Sequence, residues 1–337
     1  MMRGFLIALA AWLTMSAPSV ARPLVVLLTD ATGVEVTDLL APYAILSDSG
    51  AVDVRVVSPD MRPVRMMPGV AWVKPQMTLA QLERTPDVII VPAFMRPKDP
   101  RRARWLREQV SRGARVMSIC QGAEVLADAG LLDGRQATTH WFHIARLRKT
   151  YPKVTWRQDL RWVSDGPITS TAGVTASAPA SLNLLRELAG EPAMLATAAR
   201  LGLSAPDPRH AGADFHLNRR SIAVAIGNAV RPWGRENIAV KLNPGFDELG
   251  VGMMLDGWSL TYRSNAWAVA PGGVISRHGL TILGSTTPPK RFARTLEPTG
   301  VRAMEATIAQ IRVAYGDPTA RFVALQLEHP YGAISAW

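Results

Sequence analysis

The chain holds one cysteine, Cys120, among 337 residues. A solitary thiol excludes an internal disulfide framework, so Cys120 is free or pairs between chains. Zinc-finger spacing of Cys and His is absent too. His140 and His143 have a helical metal-ligand spacing, but no third ligand accompanies them, and neither a metal nor any other cofactor is expected. Past the N-terminal segment no apolar run approaches the roughly 20 residues of a membrane-crossing helix, so no stable membrane span is expected. Acidic residues are outnumbered, 27 against 38 Lys and Arg, for a net charge of +11. That balance invites a nucleic-acid or anionic-membrane partner, yet the basic residues are scattered. The densest group, Arg101, Arg102, Arg104 and Arg107, falls on a predicted helix whose Trp105, Leu106 and Val110 face inward, which reads as a solvated face. With no helix-turn-helix in the C-terminal third, nucleic acid is not an expected partner.

The first residues have a pattern of their own. Met1-Met2-Arg3-Gly4 precede an apolar stretch from Phe5 to Leu13 and the small residues Ser19-Val20-Ala21. Positive charge, apolar core and cleavage site in that order read as a secretory signal. Residues 1–21 are therefore expected to be removed and the mature protein to be secreted or periplasmic; the alternative is an anchor formed by an uncleaved signal. Apolar residues make up 48% of the chain, enough to fill two modest cores.

Residues 24–28 read as a buried strand and 38–47 as a helix with apolar positions recurring at three and four. A second strand is predicted over 52–57, a hairpin over 63–75, a helical stub over 79–83 and a further buried strand over 87–92. Such alternation, with continuous apolar strands, predicts an α/β fold: a flavodoxin-like, doubly wound parallel sheet covered on both faces. A helix over 100–112 leads to a short apolar run ending at Ile119, which breaks into a helix at Cys120 itself. Gln121-Gly122 opens that helix and Gly130 closes it. A strand-to-helix break of this kind is a nucleophile elbow, which lifts its side chain above the carboxyl edge of the sheet, where ligands of open α/β sheets bind. The first amides and the dipole of the next helix point at it. A thiol held there is expected to have a lowered pKa and to attack as a nucleophile. The competing account is a small buried hydrophobe. Short strands at 154–156, 161–163 and 168–170 and a helix from 173 to 188 then close a first domain, 22–190.

The stretch from Ser118 to Trp141, with Ile-Cys-Gln-Gly-Ala, Ala-Gly-Leu-Leu-Asp-Gly and Ala-Thr-Thr-His-Trp, closely resembles the ThiJ/PfpI family, whose members share the class I glutamine amidotransferase-like fold. Asp38-Leu-Leu-Ala-Pro42 and Ser170-Thr-Ala-Gly-Val-Thr-Ala add a likeness to isonitrile hydratases and to the sensor domains of AraC-type regulators. The resemblance implies that Cys120 is the nucleophile and Asp38 the acid hydrogen-bonded to its thiol, able to pass a proton to a leaving group. Otherwise Asp38 is an ordinary helix N-terminal aspartate. His140 matches a histidine near the cysteine of many relatives, a proton shuttle or else a side chain tied to the backbone. Main-chain amides of Ala93 and Gln121 are expected to form an oxyanion site, and Phe94, Trp141, Gly173 and Trp72 to line the pocket. Three departures count against transferring a substrate. Gln121 stands where proteolytic relatives carry histidine, Ala93-Phe94 replaces a glycine pair, and Pro179 replaces an aspartate. Peptidase activity is not expected.

Beyond Gly190 the chain partly repeats its opening. Residues 238–249 have the form strand, turn, helix start, and 266–271 that of the second strand. Gly245 lies 212 residues after Gly33, and the same shift pairs Ser47 with Ser259, Val57 with Val269 and Pro59 with Pro271. Residues 276–282 echo the hairpin after a two-residue change of register. A degenerate partial repeat is one explanation and chance likeness of two βαβ units the other. The shift sets Asp38 on Gly250, and no second cysteine follows, so a copy would be chemically empty. After a Pro-rich link, helices are predicted over 301–315 and 318–328. The extension, 191–337, has too few strands for an independent sheet and is expected to pack on the first domain or to extend a homo-oligomer interface. Asp207, His210, Asp214 and His216 read as a helix surface. Together these readings predict a cysteine-dependent hydratase or hydrolase acting on a small electrophile, an isonitrile or a reactive carbonyl, through Cys120 and Asp38. The alternative is a non-catalytic periplasmic ligand-binding or thiol redox-sensing module. The expected partner is a small-molecule substrate or ligand.

Overall fold

A computed structural model describes residues 21–230, 234–300, 302–333 and 335; residues 1–20 of the expected signal lie outside them. From the N-terminus, β1 (Leu24–Leu28), β2 (Val34–Glu35) and α1 (Val36–Asp48) lead to β3 (Asp53–Ser58), the hairpin β4 (Val64–Met67) and β5 (Ala71–Val73), then β6 (Met77–Thr78) and β7 (Val88–Val91). Next come α2 (Pro100–Ser111), β8 (Arg115–Ser118), α3 (Gly122–Asp128), β9 (Gln136–Ala137), α4 (Trp141–Thr150) and β10 (Thr155–Trp156). β11 (Trp162–Asp165), β12 (Ile168–Thr171) and α5 (Val174–Ala189) complete the first unit.

Among the described residues the main sheet has seven strands in the order β11-β12-β8-β7-β1-β3-β6. All five residues of β1 and all four of β7 are buried, which requires cover on both faces and explains their unbroken apolar runs. β12, β8, β7, β1 and β3 run parallel. β11 departs from the all-parallel expectation: it returns antiparallel to β12, joined through Gly166-Pro167 with Gly166 at φ 61°, a connection too short for a crossover. α1 is buried from Val36 to Leu46, the mark of a core helix rather than a surface one.

The remainder runs α6 (Glu191–Leu201), α7 (Arg219–Ala229), β13 (Glu236–Lys241), α8 (Glu248–Ser259), β14 (Ser264–Val269), β15 (Val274–Ile275), β16 (Thr281–Leu283), β17 (Arg294–Leu296), α9 (Ala303–Tyr315) and α10 (Asp317–Gln326). β13 pairs in parallel with β14 and β17, as β1 does with β3 and β7. Backbone details recur at the 212-residue spacing: Gly33 (φ 95°) with Gly245 (φ 77°), and Gly50 (φ 62°) with Tyr262 (φ 60°). Glu35 caps α1 by accepting from the Asp38 amide, and Asp247 caps α8 by accepting from the Gly250 amide. The helix pairs correspond as well. α5 meets α6 at Gly190 (φ 87°, ψ 165°) and α9 meets α10 at Gly316 (φ 87°, ψ 164°), each glycine followed two residues later by proline. Among the described residues between β17 and α9 there is no counterpart of α2, β8 or α3.

This second region does pack on the first. One cluster of buried apolar side chains runs from Leu24 to Leu327, α8 lies on α1 with Gly252 against Leu40, and β16 pairs with β5 so that both hairpins share one sheet. Two surface expectations fail. Arg102 is not solvated; it is buried in an ion pair with Asp30 and lies 3.9 Å over the Phe94 ring. The segment with Asp207, His210, Asp214 and His216 is not a helix face but irregular chain with one 3-10 turn, and His210 is buried against Glu328. α7 was not anticipated at all.

Candidate active site

β8 delivers its chain to Cys120 in the left-handed region, at φ 55°, a conformation that costs a non-glycine residue about 1–2 kcal/mol. The surroundings hold it there. The Cys120 amide donates to Ala172 O at 3.1 Å, and its carbonyl accepts from Thr139 Oγ1 at 2.8 Å. Gly122 is required for close approach: a Cβ there would stand 2.1 Å from Val91 O, so only glycine lets α3 start against the end of β7. Cys120, 7% exposed, lines a cavity of about 630 Å³ shared with Glu35, Ala93, Phe94, Gln121, His140 and Trp141.

The electrostatics differ from the expected ones. Burial, then the negative charges of Asp38, Glu35 and Glu328, push the thiol pKa up, and the Gln121 amide opposes them only in part. The expectation of a lowered thiol pKa is therefore overturned: α3 spans two turns, and three carboxyl groups outweigh its dipole. Two of those carboxyls, Asp38 and Glu35, are raised themselves. Asp38 is fully buried and is pushed up to about 7, by burial first, against the Ala93 amide and Glu35, with the charge of Asp256 adding to the rise. Glu35 rises well above its ordinary value through burial and the charges of Asp256 and Asp38. Asp256, on α8, rises to about 6 through burial and accepts from Thr37 Oγ1 at 3.0 Å. Three interacting acids of this kind keep at least one proton at neutral pH. Asp38 Oδ1 and Glu35 Oε1 are buried without a hydrogen-bond partner.

The other anticipated residues divide. The Ala93 amide donates to Asp38 Oδ2 at 2.9 Å, so it is not free for an oxyanion, whereas the Gln121 amide faces the sulfur. His140 caps α4: its Nδ1 accepts from the Phe142 amide at 3.2 Å, which puts the proton on Nε2, 2.7 Å from Gln326 O. Both ring nitrogens are thereby engaged with the backbone. Trp141 lines the cavity, its Nε1 donating to Leu325 O at 3.0 Å, and Phe94 lines it too. Gly173 does not; it packs behind, where a Cβ would stand 2.6 Å from His140 Cδ2. Trp72 is on β5 under the Arg65 guanidinium, outside the cavity. Among the described residues no group of three or more His, Cys, Asp or Glu is placed to hold a metal, and no helix is long and apolar enough to cross a membrane.

Sequence reasoning missed Glu35, Asp256 and Glu328. Glu328 is buried and accepts from the Trp141 amide at 2.7 Å, the Gly173 amide at 2.9 Å and His210 Nε2 at 2.9 Å. One carboxylate thus serves the N-termini of α4 and α5, where negative charge is favoured. Burial pushes Glu328 up, but His210, the charge of His140 and the Trp141 amide together hold it below the ordinary carboxylate value. Of the three, Glu35 left a trace, an acid three residues before Asp38 at a helix start.

A strained cysteine elbow above a parallel sheet, beside a buried acid from the first helix, defines a class. Residues 24–187 match the DJ-1/PfpI family, and the chain belongs to it; the family and the flavodoxin-like, class I glutamine amidotransferase-like fold expected from the residues are borne out. The chain is similar to isonitrile hydratase of Pseudomonas putida, 35% identical over 162 residues, 47% of this chain and 68% of the relative. It is also similar to the HTH-type transcriptional regulator CdhR of Pseudomonas aeruginosa, 36% identical over 137 residues, and spans 40% of that regulator's length with 40% of its own. A crystal structure of a ThiJ/PfpI family protein from Pseudomonas syringae shares the fold at a TM-score of 0.51 and 22% identity, covering 61% of this chain and 86% of that one.

Proposed function

We propose that the chain is an exported hydratase or hydrolase that adds Cys120 to the electrophilic carbon of an isonitrile or reactive carbonyl. One observation carries the reading: the strained Cys120 opens on a cavity, and the buried acid Asp38, near enough for its charge to raise the thiol pKa, has a pKa of about 7 that suits it to take and return a proton. A thiol with a raised pKa does not wait as thiolate, so attack and proton transfer are coupled. The Asp38 carboxylate takes the S–H proton, on the otherwise unpartnered Oδ1, as the carbon–sulfur bond forms. With an isonitrile the carbon then receives that proton, giving a thioimidate, R–N=CH–S–Cys120. Water adds to the same carbon, the nitrogen is protonated, the carbon–sulfur bond breaks, and an N-substituted formamide leaves with the thiol restored. The Gln121 amide is the main-chain donor for the negative charge that develops. The test is formamide production from isonitriles, followed by proton NMR, with Cys120→Ser beside the wild type. Turnover by the wild type alone supports the reading; wild-type rates equal to buffer for both isonitriles and α-oxoaldehydes overturn it.

A second reading is a non-catalytic ligand-binding or thiol redox-sensing module. It is favoured by the Ala93 amide, which is committed to Asp38 and leaves a single main-chain donor at the sulfur. Mild peroxide that oxidises Cys120 in a protein without turnover would decide for it. Export rests on residues 1–21, and a mature N-terminus at Arg22 in the secreted fraction is its check.

A further inference from the structure

We infer that α7, α8 and α10 build a tail subsite, and that the substrate is a neutral electrophile carrying an apolar group of several carbons. The inference deepens the hydratase reading and rests on Cys120 as the attacking atom. A head group of two or three heavy atoms fills little of 630 Å³, a size that suits a whole drug-sized ligand. The remaining walls are apolar and come largely from the second region: Ile222 and Ile226 of α7, Leu260 at the end of α8 and Phe322 of α10 face Met95 and Phe142 of the first unit. Four of these are left in solvent, Met95 at 60%, Phe142 at 57%, Ile226 at 56% and Ile222 at 43% exposure, and they line one cavity rather than being scattered singly.

Charge narrows the class further. Glu35 and Asp256 line the cavity at its inner end, and no Lys or Arg is among the described residues lining it. An anionic substrate would meet carboxylates with no cation among the described lining residues to receive it. His143, also on the wall, is held neutral, its pKa pushed down to about 4 by burial and then by His140 and Arg146. A polar or charged tail would therefore lose its water without replacement, whereas each methylene buried against these side chains is favourable.

The sole cysteine gives a readout that needs no turnover. N-alkyl maleimides from methyl to octyl, each normalised to its rate with glutathione, are reacted with the full mature chain and the loss of free thiol is followed. The expected result is a rise of about threefold to fourfold per methylene until the cavity is filled, with iodoacetamide reacting faster than iodoacetate. Ile226→Asp and, separately, Phe142→Ser should flatten the rise; both side chains are solvent-facing, and thermal melting checks that the fold persists. A flat or falling series in the wild type, or a preference for iodoacetate, overturns the subsite. A steep series without hydration of octyl isonitrile leaves the subsite standing and removes the hydratase reading; hydration indifferent to chain length does the reverse.

Discussion

β1-α1-β3 and β13-α8-β14 share an arrangement of strand, turn and helix and differ in what they carry. Each begins with a strand flanked in parallel on both sides, turns through a left-handed glycine and caps its helix with a carboxylate on the amide three residues further on. In the first, that residue is Asp38, buried against the Ala93 amide. In the second it is Gly250, whose missing side chain admits the Thr299 backbone; a Cβ would stand 2.6 Å from Thr299 O. After β7 the first unit goes on to the elbow, whereas β17 passes directly toward α9. The features common to both are those that pair strands and dock α8 on α1. Those present once belong to chemistry. The second region contributes to the site differently, by Asp256 among the acids and by apolar walls around the cavity.

The largest test of that contrast removes the sulfur. Cys120→Ala is expected to lower turnover at least about a thousandfold and to abolish labelling by thiol reagents, with thermal stability little changed; retained turnover would detach the chemistry from the elbow. Next comes the joint between the regions. Glu328→Ala strands the amides of Trp141 and Gly173 and leaves His210 unpaired, which should cost about 3–5 kcal/mol in urea unfolding. A single cooperative transition is expected, since the core is continuous; two transitions would show that the regions fold separately. The sign with pH follows from the depressed Glu328 pKa. Its contribution is complete above the unfolded carboxyl value near 4.5 and is lost as pH falls through the lower folded value, so Glu328→Gln should destabilise at pH 7 and progressively less on acidification.

Much of the first unit was legible because its physics is local. Continuous apolar runs at β1 and β7, the break at Cys120 and the glycine at 122 each report on neighbours a few residues away. The same local reading misjudged Arg102, because its partner Asp30 comes from the end of β1, and it gave the thiol a low pKa, because the carboxyls that raise it arrive from α1 and from Glu328. Asp256 left no trace at all: Thr37 and Asp256 are 219 residues apart, and at the 212-residue spacing the aspartate falls opposite Ala44. α7 was missed for a related reason. Its Ile222 and Ile226 line the cavity and stay partly in solvent, so they did not look like a core stripe.

Exchanging the two key positions sharpens the comparison. Asp38→Asn should reduce turnover by about 10²–10⁴-fold while stabilising the fold above pH 7. An acid whose folded pKa is raised to about 7 contributes fully below its unfolded value near 3.8 and loses that contribution as pH rises through 7. The gain in the variant is a few kcal/mol at most, because neighbouring acids share the proton. Scanning calorimetry from pH 4 to pH 8 should show the wild type losing stability relative to Asp38→Asn; parallel curves would mean that Asp38 titrates normally. Gly250→Asp, the reverse exchange, should destabilise by about 3 kcal/mol through its clash with Thr299 and create no thiol-linked activity.

The smallest expected effect belongs to Asp256→Asn. Asparagine keeps an acceptor for Thr37 and removes the charge that helps hold Asp38, and Glu35 beside it, protonated. Since Asp38 must be a carboxylate to accept the thiol proton, the acidic limb of the kcat–pH profile should move to lower pH, by on the order of half a unit. Stability and KM should stay close to wild type, because no packing is lost. A packing role alone would change melting and leave the profile in place, so the two are separable in one set of measurements. Should the limb stay where it is, Asp256 has no part in the proton held by Asp38, and the second region serves the site only through its apolar walls.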